Sequence, residues 1–364
     1  MKIMLLVDQL HFGGLENHIA LFVNGLLTRS HQVFLQSMSI SPYYLAKIKS
    51  RDEAFQYFIG ENDLLQKAAV FDPDIIHAHP FDSIYRGCKL AGELRKPLIV
   101  TIHGLYDHFI DRSPQGYEIS RSISRIIAVD QGVVDFLSKR AAEPEKVTII
   151  RNGLDFSHFY PLARTSCKMG IYGLNPDWFT IAYVSRFADE KGLVVFKLLD
   201  LAPAIAGELG GLNLMLVGDG PHMPDVKEKS QFLCANHPGL KISMVGMQMD
   251  VRPFLAMADL VASCDMAATE AMACSRPVLA AFPKGLYGII NKDNFDDIIY
   301  RRCGYVEVLP NNEVVKQIKA LAGDKEYWHS LSRESCAIVH DKYKIEDAIT
   351  RLEEIYYQCI GKSQ

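Results

Sequence analysis

Residues 258–282, ADLVASCDMAATEAMACSRPVLAAF, read as a strand, a tight loop, a short helix and a second strand. On this reading Glu270 opens the helix. A carboxylate in a first turn is favoured by the helix dipole and points out of the C-terminal edge of a parallel sheet, where open α/β sheets place their ligands. The plainer alternative is an acid that only caps its own turn. Deciding between the two requires the rest of the chain.

Upstream, VSRFADEKG (184–192) sets Arg186 just past a strand and Lys191 near the start of the following helix, so that both cations could reach one diphosphate. A charge cluster in a loop is also commonly a set of solvated pairs, here with Asp189 or Glu190. LMLVGDGP (214–221) ends a strand in a glycine turn, and 244–248 ends the next one in a similar way at the same sheet edge. The strand pattern of this half runs over 179–184, 212–217, 241–245, 259–262 and 278–281.

The first half has the same alternation. An apolar run over 1–7 is followed by the turn-forming FGG and a helix with apolar positions Leu15, Ile19, Phe22, Val23 and Leu26. Gly13 and Gly14 would let backbone amides approach an anion at that helix N-terminus, although the full G-x-G-x-x-G spacing is lacking. Further strand-like runs lie at 32–36, 55–59, 74–78, 98–102, 126–129 and 147–150. Strands alternating with helices imply a parallel, doubly wound sheet. IIHAH places His77 and His79, and TIHG places His103, at strand C-terminal ends. A lone histidine there is commonly a structural hydrogen-bonder; Gly104 opens room beside His103. The turn-rich NGLDFSHFYP (152–161) and the polar stretch after it set the expected division between 163 and 164, and a last amphipathic helix over 345–360 needs a surface to cover.

Length and composition bound the reading. At 364 residues the chain exceeds what one core usually serves. Charged residues are 23% and the net charge is -4, which offers no overall case for nucleic acid. The 8 cysteines show no C-x-x-C or paired Cys/His spacing, so neither a zinc motif nor a disulfide framework is indicated. Asp8 cuts the opening apolar run short of a signal-peptide core, and no charge-free apolar run reaches about 18 residues. The expected location is the cytoplasm, with any membrane contact peripheral. Asp72-Pro73-Asp74 is the one tempting D-x-D, and Pro73 favours a turn leading into a strand over a metal site.

Taken in order, FGGLENHI, IIHAH, TIHG, NGLDFSHFYP, VSRFADEKG, LMLVGDGP, EAMACSRPV and the terminal helix resemble family 4 of the glycosyltransferases, nearly end to end. VSRFADEKG and EAMACSRPV at this spacing carry most of the resemblance. It implies an α/β protein of GT-B fold: two facing Rossmann-like domains with a deep cleft between them. Residues 1–163 would be the acceptor-side domain, joined by a returning C-terminal helix at 343–364, and 164–342 the nucleotide-sugar domain. It further implies a retaining transfer of a hexose from a UDP- or GDP-type sugar to a hydroxyl of a glycan or lipid-linked acceptor, without metal or other cofactor. The leaving diphosphate would assist the incoming hydroxyl. Arg186 and Lys191 would hold the diphosphate, Glu270 the ribose hydroxyls, and Gly13 and Gly14 the closing loop, with His103 near the anomeric carbon. Gly218, Gly246, Met247 and Asp265 would complete the donor side.

Two departures stand out. Family members commonly carry a second glutamate eight residues before the position of Glu270, which contacts the donor sugar; here that position is Ala262, and the nearest acid is Asp265. Ser275 stands where glycine is usual, and FPKGLYGIINKD replaces the usual downstream passage. The absent glutamate motivates a rival reading, a nucleotide-sugar binding protein that has lost transfer; a sugar-nucleotide epimerase of the same fold is a more distant one.

Overall fold

The computed structural model describes residues 1–11, 14–49 and 53–361. They form two compact units, Met1–Asp155 with Tyr343–Gln364, and Phe156–Lys342. The division falls at 155/156 where the sequence pattern suggested 163/164. The reason is a set of hydrogen bonds: Arg276 Nη2 donates to Leu162 O at 2.7 Å, Leu162 N–H to Cys274 O at 3.3 Å, and Arg252 Nη1 to His158 O at 3.3 Å. These bonds hold the segment after 155 to the second unit.

The first unit runs β1 (Lys2–Leu10), α1 (Gly14–Thr28), β2 (Gln32–Ile40), α2 (Pro42–Lys47), β3 (Phe55–Ile59), α3 (Leu64–Phe71), β4 (Ile75–Ala78), α4 (Asp82–Leu94), β5 (Leu98–Ile102), α5 (Pro114–Ser122), β6 (Ile123–Ala128), α6 (Gln131–Arg140) and β7 (Val147–Ile149). Its sheet has the order β3-β2-β1-β4-β5-β6-β7, and each neighbouring pair is parallel. Central strands such as β5, LIVTI, are buried along their whole length, as a sheet covered on both faces requires.

The second unit runs β8 (Phe179–Val184), α7 (Asp189–Leu209), β9 (Leu212–Val217), α8 (Met223–Asn236), β10 (Leu240–Gly246), α9 (Arg252–Met257), β11 (Leu260–Ser263), α10 (Asp265–Ala273), β12 (Val278–Phe282), β13 (Gly285–Ile289), α11 (Asn311–Gly323) and α12 (Lys325–Lys342). Its sheet order is β10-β9-β8-β11-β12-β13. β13 falls in FPKGLYGIINKD, where no strand was expected. It pairs antiparallel with β12 and shields that edge of the sheet.

The terminal helix α13 (Ile345–Gly361) belongs to the first unit. Its stripe of Ala348, Ile349, Leu352, Ile355, Tyr356 and Cys359 is buried in one core with Ile3, Leu5 and Val7 of β1 and Ile19, Val23 and Leu26 of α1. Six such side chains withdrawn from water contribute on the order of 10 kcal/mol before entropy is counted. The approach to α1 is so close that a Cβ on Gly25 would stand 1.8 Å from Ile349 Cδ1.

Candidate active site

In the second unit the order of β9, β8 and β11 makes the end of β8 a topological switch point, because the chain leaves β8 to one side and returns on the other. Arg186 lies there, exposed, and its guanidinium has no hydrogen-bond or ion-pair partner among the described residues. Three residues on, α7 begins at Asp189, and Ala188 at its N-cap supplies no side-chain cap. The first amides of a 21-residue helix and an unpaired guanidinium thus occupy the same strand end, an arrangement suited to an anion. Lys191 falls in the first turn of α7; its side chain lies outside the described residues.

The glycine turn after β9 is shaped by packing. Gly218 has φ +141, and a Cβ there would sit 1.8 Å from Ser185 O; Gly220 has φ +156, with Phe187 O 2.4 Å from its would-be Cβ. Only glycine lets the two loops interlock. They are joined by Phe187 N–H to Asp219 O at 2.9 Å and His222 N–H to Phe187 O at 3.0 Å. The Gly218 N–H in turn donates to Gly246 O at 2.9 Å. Gly218 therefore supports the loop that presents Arg186, Gly246 closes the neighbouring strand, and Met247 beyond it is exposed.

At β11 the expected order is corrected. The strand passes directly through Cys264 into α10, whose first turn carries Asp265, and Glu270 lies in the second turn. No separate loop intervenes, so Glu270 is not a first-turn acid and cannot cap its own helix. It is half-buried beside Cys274, whose thiol is pushed up to about 12, mainly by burial and further by the nearby Glu270 charge. Asp265, at φ +50, is held by Arg302 Nη1 at 3.2 Å. Arg302 gave no sequence signal, because it sits 37 residues downstream in an irregular segment. Ala262 is fully buried within β11.

In the first unit His103 follows β5, partly exposed, with its backbone N–H donating to Tyr106 Oη at 2.9 Å. Its Nε2 lies 3.0 Å from His79 Nδ1. His77, deeper, is bound on both nitrogens, by Tyr356 Oη at 2.6 Å and Thr101 Oγ1 at 2.7 Å, which is the structural role anticipated for it. His18 on α1, which pattern reading passed over, stacks on Phe22 at 4.1 Å and meets His103 edge-on at 4.8 Å. The available signal was a histidine inside an otherwise apolar stripe between Leu15 and Phe22. Burial pushes His18 and His77 down to about 3; His79 is also held well below the usual value, by burial and then by its three histidine neighbours. Asn152 lies near enough to offset part of the cost at His18, yet neither His18 Nδ1 nor Asn152 Oδ1 completes a hydrogen bond among the described residues. Gly14 is the first residue of α1 and exposed, and Gly13 lies outside the described residues.

Two Rossmann-like units with polar groups gathered at their strand C-termini define a protein of the GT-B class. Residues 12–158 match the family model described as Glycosyltransferase Family 4, and residues 179–306 match Glycosyl transferases group 1. The chain belongs to the family 4 glycosyltransferases. Among its relatives is N-acetyl-alpha-D-glucosaminyl L-malate synthase of Bacillus anthracis, 23% identical over 79% of this chain and 75% of that protein. Alpha-monoglucosyldiacylglycerol synthase of Streptococcus pneumoniae is 25% identical over 69% of this chain, and the match spans 61% of its length. Among solved structures, HepE of Anabaena in complex with UDP and glucose superposes with a TM-score of 0.73 at 17% identity, covering 98% of this chain and 100% of that one. That likeness bears on the fold. No helix among the described residues is long and apolar enough to cross a membrane.

Proposed function

We propose that this glycosyltransferase moves a hexose, with retention of configuration, from a nucleotide-diphosphate sugar to a hydroxyl of a glycan or lipid-linked acceptor, in surface polysaccharide or glycolipid assembly at or near the cytoplasmic face of a membrane. The observation that carries the reading is Arg186, without a partner among the described residues, at the switch point beside the start of α7, which has no side-chain cap. As the glycosidic bond breaks, negative charge develops on the leaving diphosphate. Arg186, Lys191 and the α7 amides are proposed to stabilise that charge in place of a metal ion, an electrostatic role prepared before reaction begins. Glu270 is assigned to the ribose hydroxyls, and His103 to the donor sugar. A UDP-type donor is favoured by the complexes of HepE with UDP and with UDP-glucose, and a lipid or small polar acceptor by the names of the relatives above.

Arg186→Ala should weaken UDP or UDP-sugar binding by about 10- to 150-fold in calorimetry, the loss expected for one charge-assisted contact of about 1.5 to 3 kcal/mol. Transfer should persist in excess chelator. Parent-like affinity would remove the diphosphate assignment; loss of transfer with chelator and rescue by Mg²⁺ or Mn²⁺ would remove the metal-free mechanism.

A binding protein without turnover is favoured by one observation, the Asp265–Arg302 pair, which engages the acid nearest the position of the missing glutamate. Tight nucleotide binding with no product across an acceptor screen would select it.

A further inference from the structure

His18, His79 and His103 each offer a ring nitrogen, and the three nitrogens lie within 4.8 Å of one another. They come from α1 and from the ends of β4 and β5, so only the fold assembles them. His18 is 7% exposed and His79 is 2% exposed. A buried polar atom is ordinarily paired, yet His18 Nδ1 has no hydrogen-bond partner among the described residues. The rings are also braced. His77 packs against His79 at 4.4 Å and is itself fastened on both nitrogens, while Phe22 supports His18. Partly exposed His103 provides an entry path.

We infer that these three imidazoles form a binding site for a first-row transition cation, with Zn²⁺ as the probe. Three nitrogens without a carboxylate suit Zn²⁺, Cu²⁺, Ni²⁺ or Co²⁺ and disfavour Mg²⁺ and Ca²⁺, which select oxygen ligands. Zn–N bonds of about 2.0–2.1 Å at tetrahedral angles set the nitrogens about 3.3 Å apart. The His79–His103 pair at 3.0 Å parts slightly, and the third ring closes in. One atom of that pair now carries the bridging proton; ligation by both moves it to the other nitrogen of its own ring, with no net release. A fourth position is left to water. The inference goes beyond the transfer reading and shares only His103 with it; its readout is metal binding, not transfer, so either can fail alone.

The test uses the full chain, stripped of metal, in a Cys167→Ser background that removes the exposed thiol. Calorimetric titration with Zn²⁺ should give one equivalent. His18→Gln and His79→Gln should each weaken it by at least about 10-fold, since even outer partners of ligating histidines are worth that much, while His329→Ala on the surface should leave it unchanged. Co²⁺ bound to the unmutated histidines should give tetrahedral d–d absorption without a thiolate charge-transfer band. Absence of stoichiometric binding, full retention in the double glutamine variant, or a thiolate band would each overturn the site.

Discussion

Arg186 and Glu270 differ in what surrounds them, and their expected phenotypes differ accordingly. The guanidinium is exposed and has no partner among the described residues, whereas Glu270 is half-buried in the second turn of α10. A carboxylate that accepts from ribose hydroxyls strengthens every nucleotide ligand alike. Glu270→Gln is therefore expected to lower affinity for free UDP and for its sugar ester by the same factor, about 10- to 150-fold. Unequal losses in calorimetry would assign Glu270 to the sugar. Ser275 tests a local cost: at φ +57 it ends α10, with its N–H on Met272 O at 2.9 Å and the Arg276 N–H on Ala271 O at 3.0 Å, the bond pattern of a Schellman cap. A side chain in that left-handed position costs about 1 kcal/mol, so Ser275→Gly should stabilise the second unit by roughly that amount. A denaturation midpoint at or below the parent's would contradict it.

At the scale of elements, α13 completes the first unit. Besides its apolar stripe, it contributes Glu353, which takes His31 Nε2 at 2.6 Å and an ion pair from Arg29, and Tyr356, whose hydroxyl meets buried His77. Burial works against the Glu353 charge, but the hydrogen bonds from His31 and Arg29 outweigh it and hold its carboxyl below the usual range. Tyr356→Phe keeps the ring and leaves His77 Nδ1 unpaired in the core. The expected loss is about 1–3 kcal/mol, confined to the first unit. A loss below a few tenths of a kcal/mol in chemical denaturation would mean that water or a shifted ring replaces the bond. The element the pattern missed, β13, is short and glycine-bearing, and its role depends on β12 as partner.

For the whole molecule, acid should act on one unit first. In the unfolded chain His18 and His77 take up protons near 6.5, while in the folded first unit they resist down to about 3. Between those values the unfolded state binds more protons, so stability is complete above 6.5 and falls as pH falls, by about 1.4 kcal/mol per pH unit for each ring. The 2 tryptophans, Trp178 and Trp328, both lie in the second unit. On acidification from pH 7 to pH 5, ellipticity should be lost under milder denaturant than tryptophan fluorescence. Coincident transitions at every pH would refute the separation.

Much of this was legible beforehand because buried parallel strands are continuous apolar runs. The boundaries of β3, β5, β8 and β9 follow directly from their residues, and α13 from its stripe. VSRFADEKG likewise placed Arg186 at a strand end without any coordinates. Tertiary structure decided what depends on partners distant in sequence. The start of α10 was misplaced although Ala and Met favour helix; the tertiary structure runs β11 directly into it and so moves Glu270 into the second turn. Gly218 looked like a ligand-binding glycine, and the fold presses Ser185 O against it. Asp265 was expected on the donor side, and the fold pairs it with Arg302; three histidines from three elements met only when β4, β5 and α1 were packed together. Local periodicity specifies burial, whereas pairing between polar groups far apart along the chain is specified only by the packed core that brings them within reach.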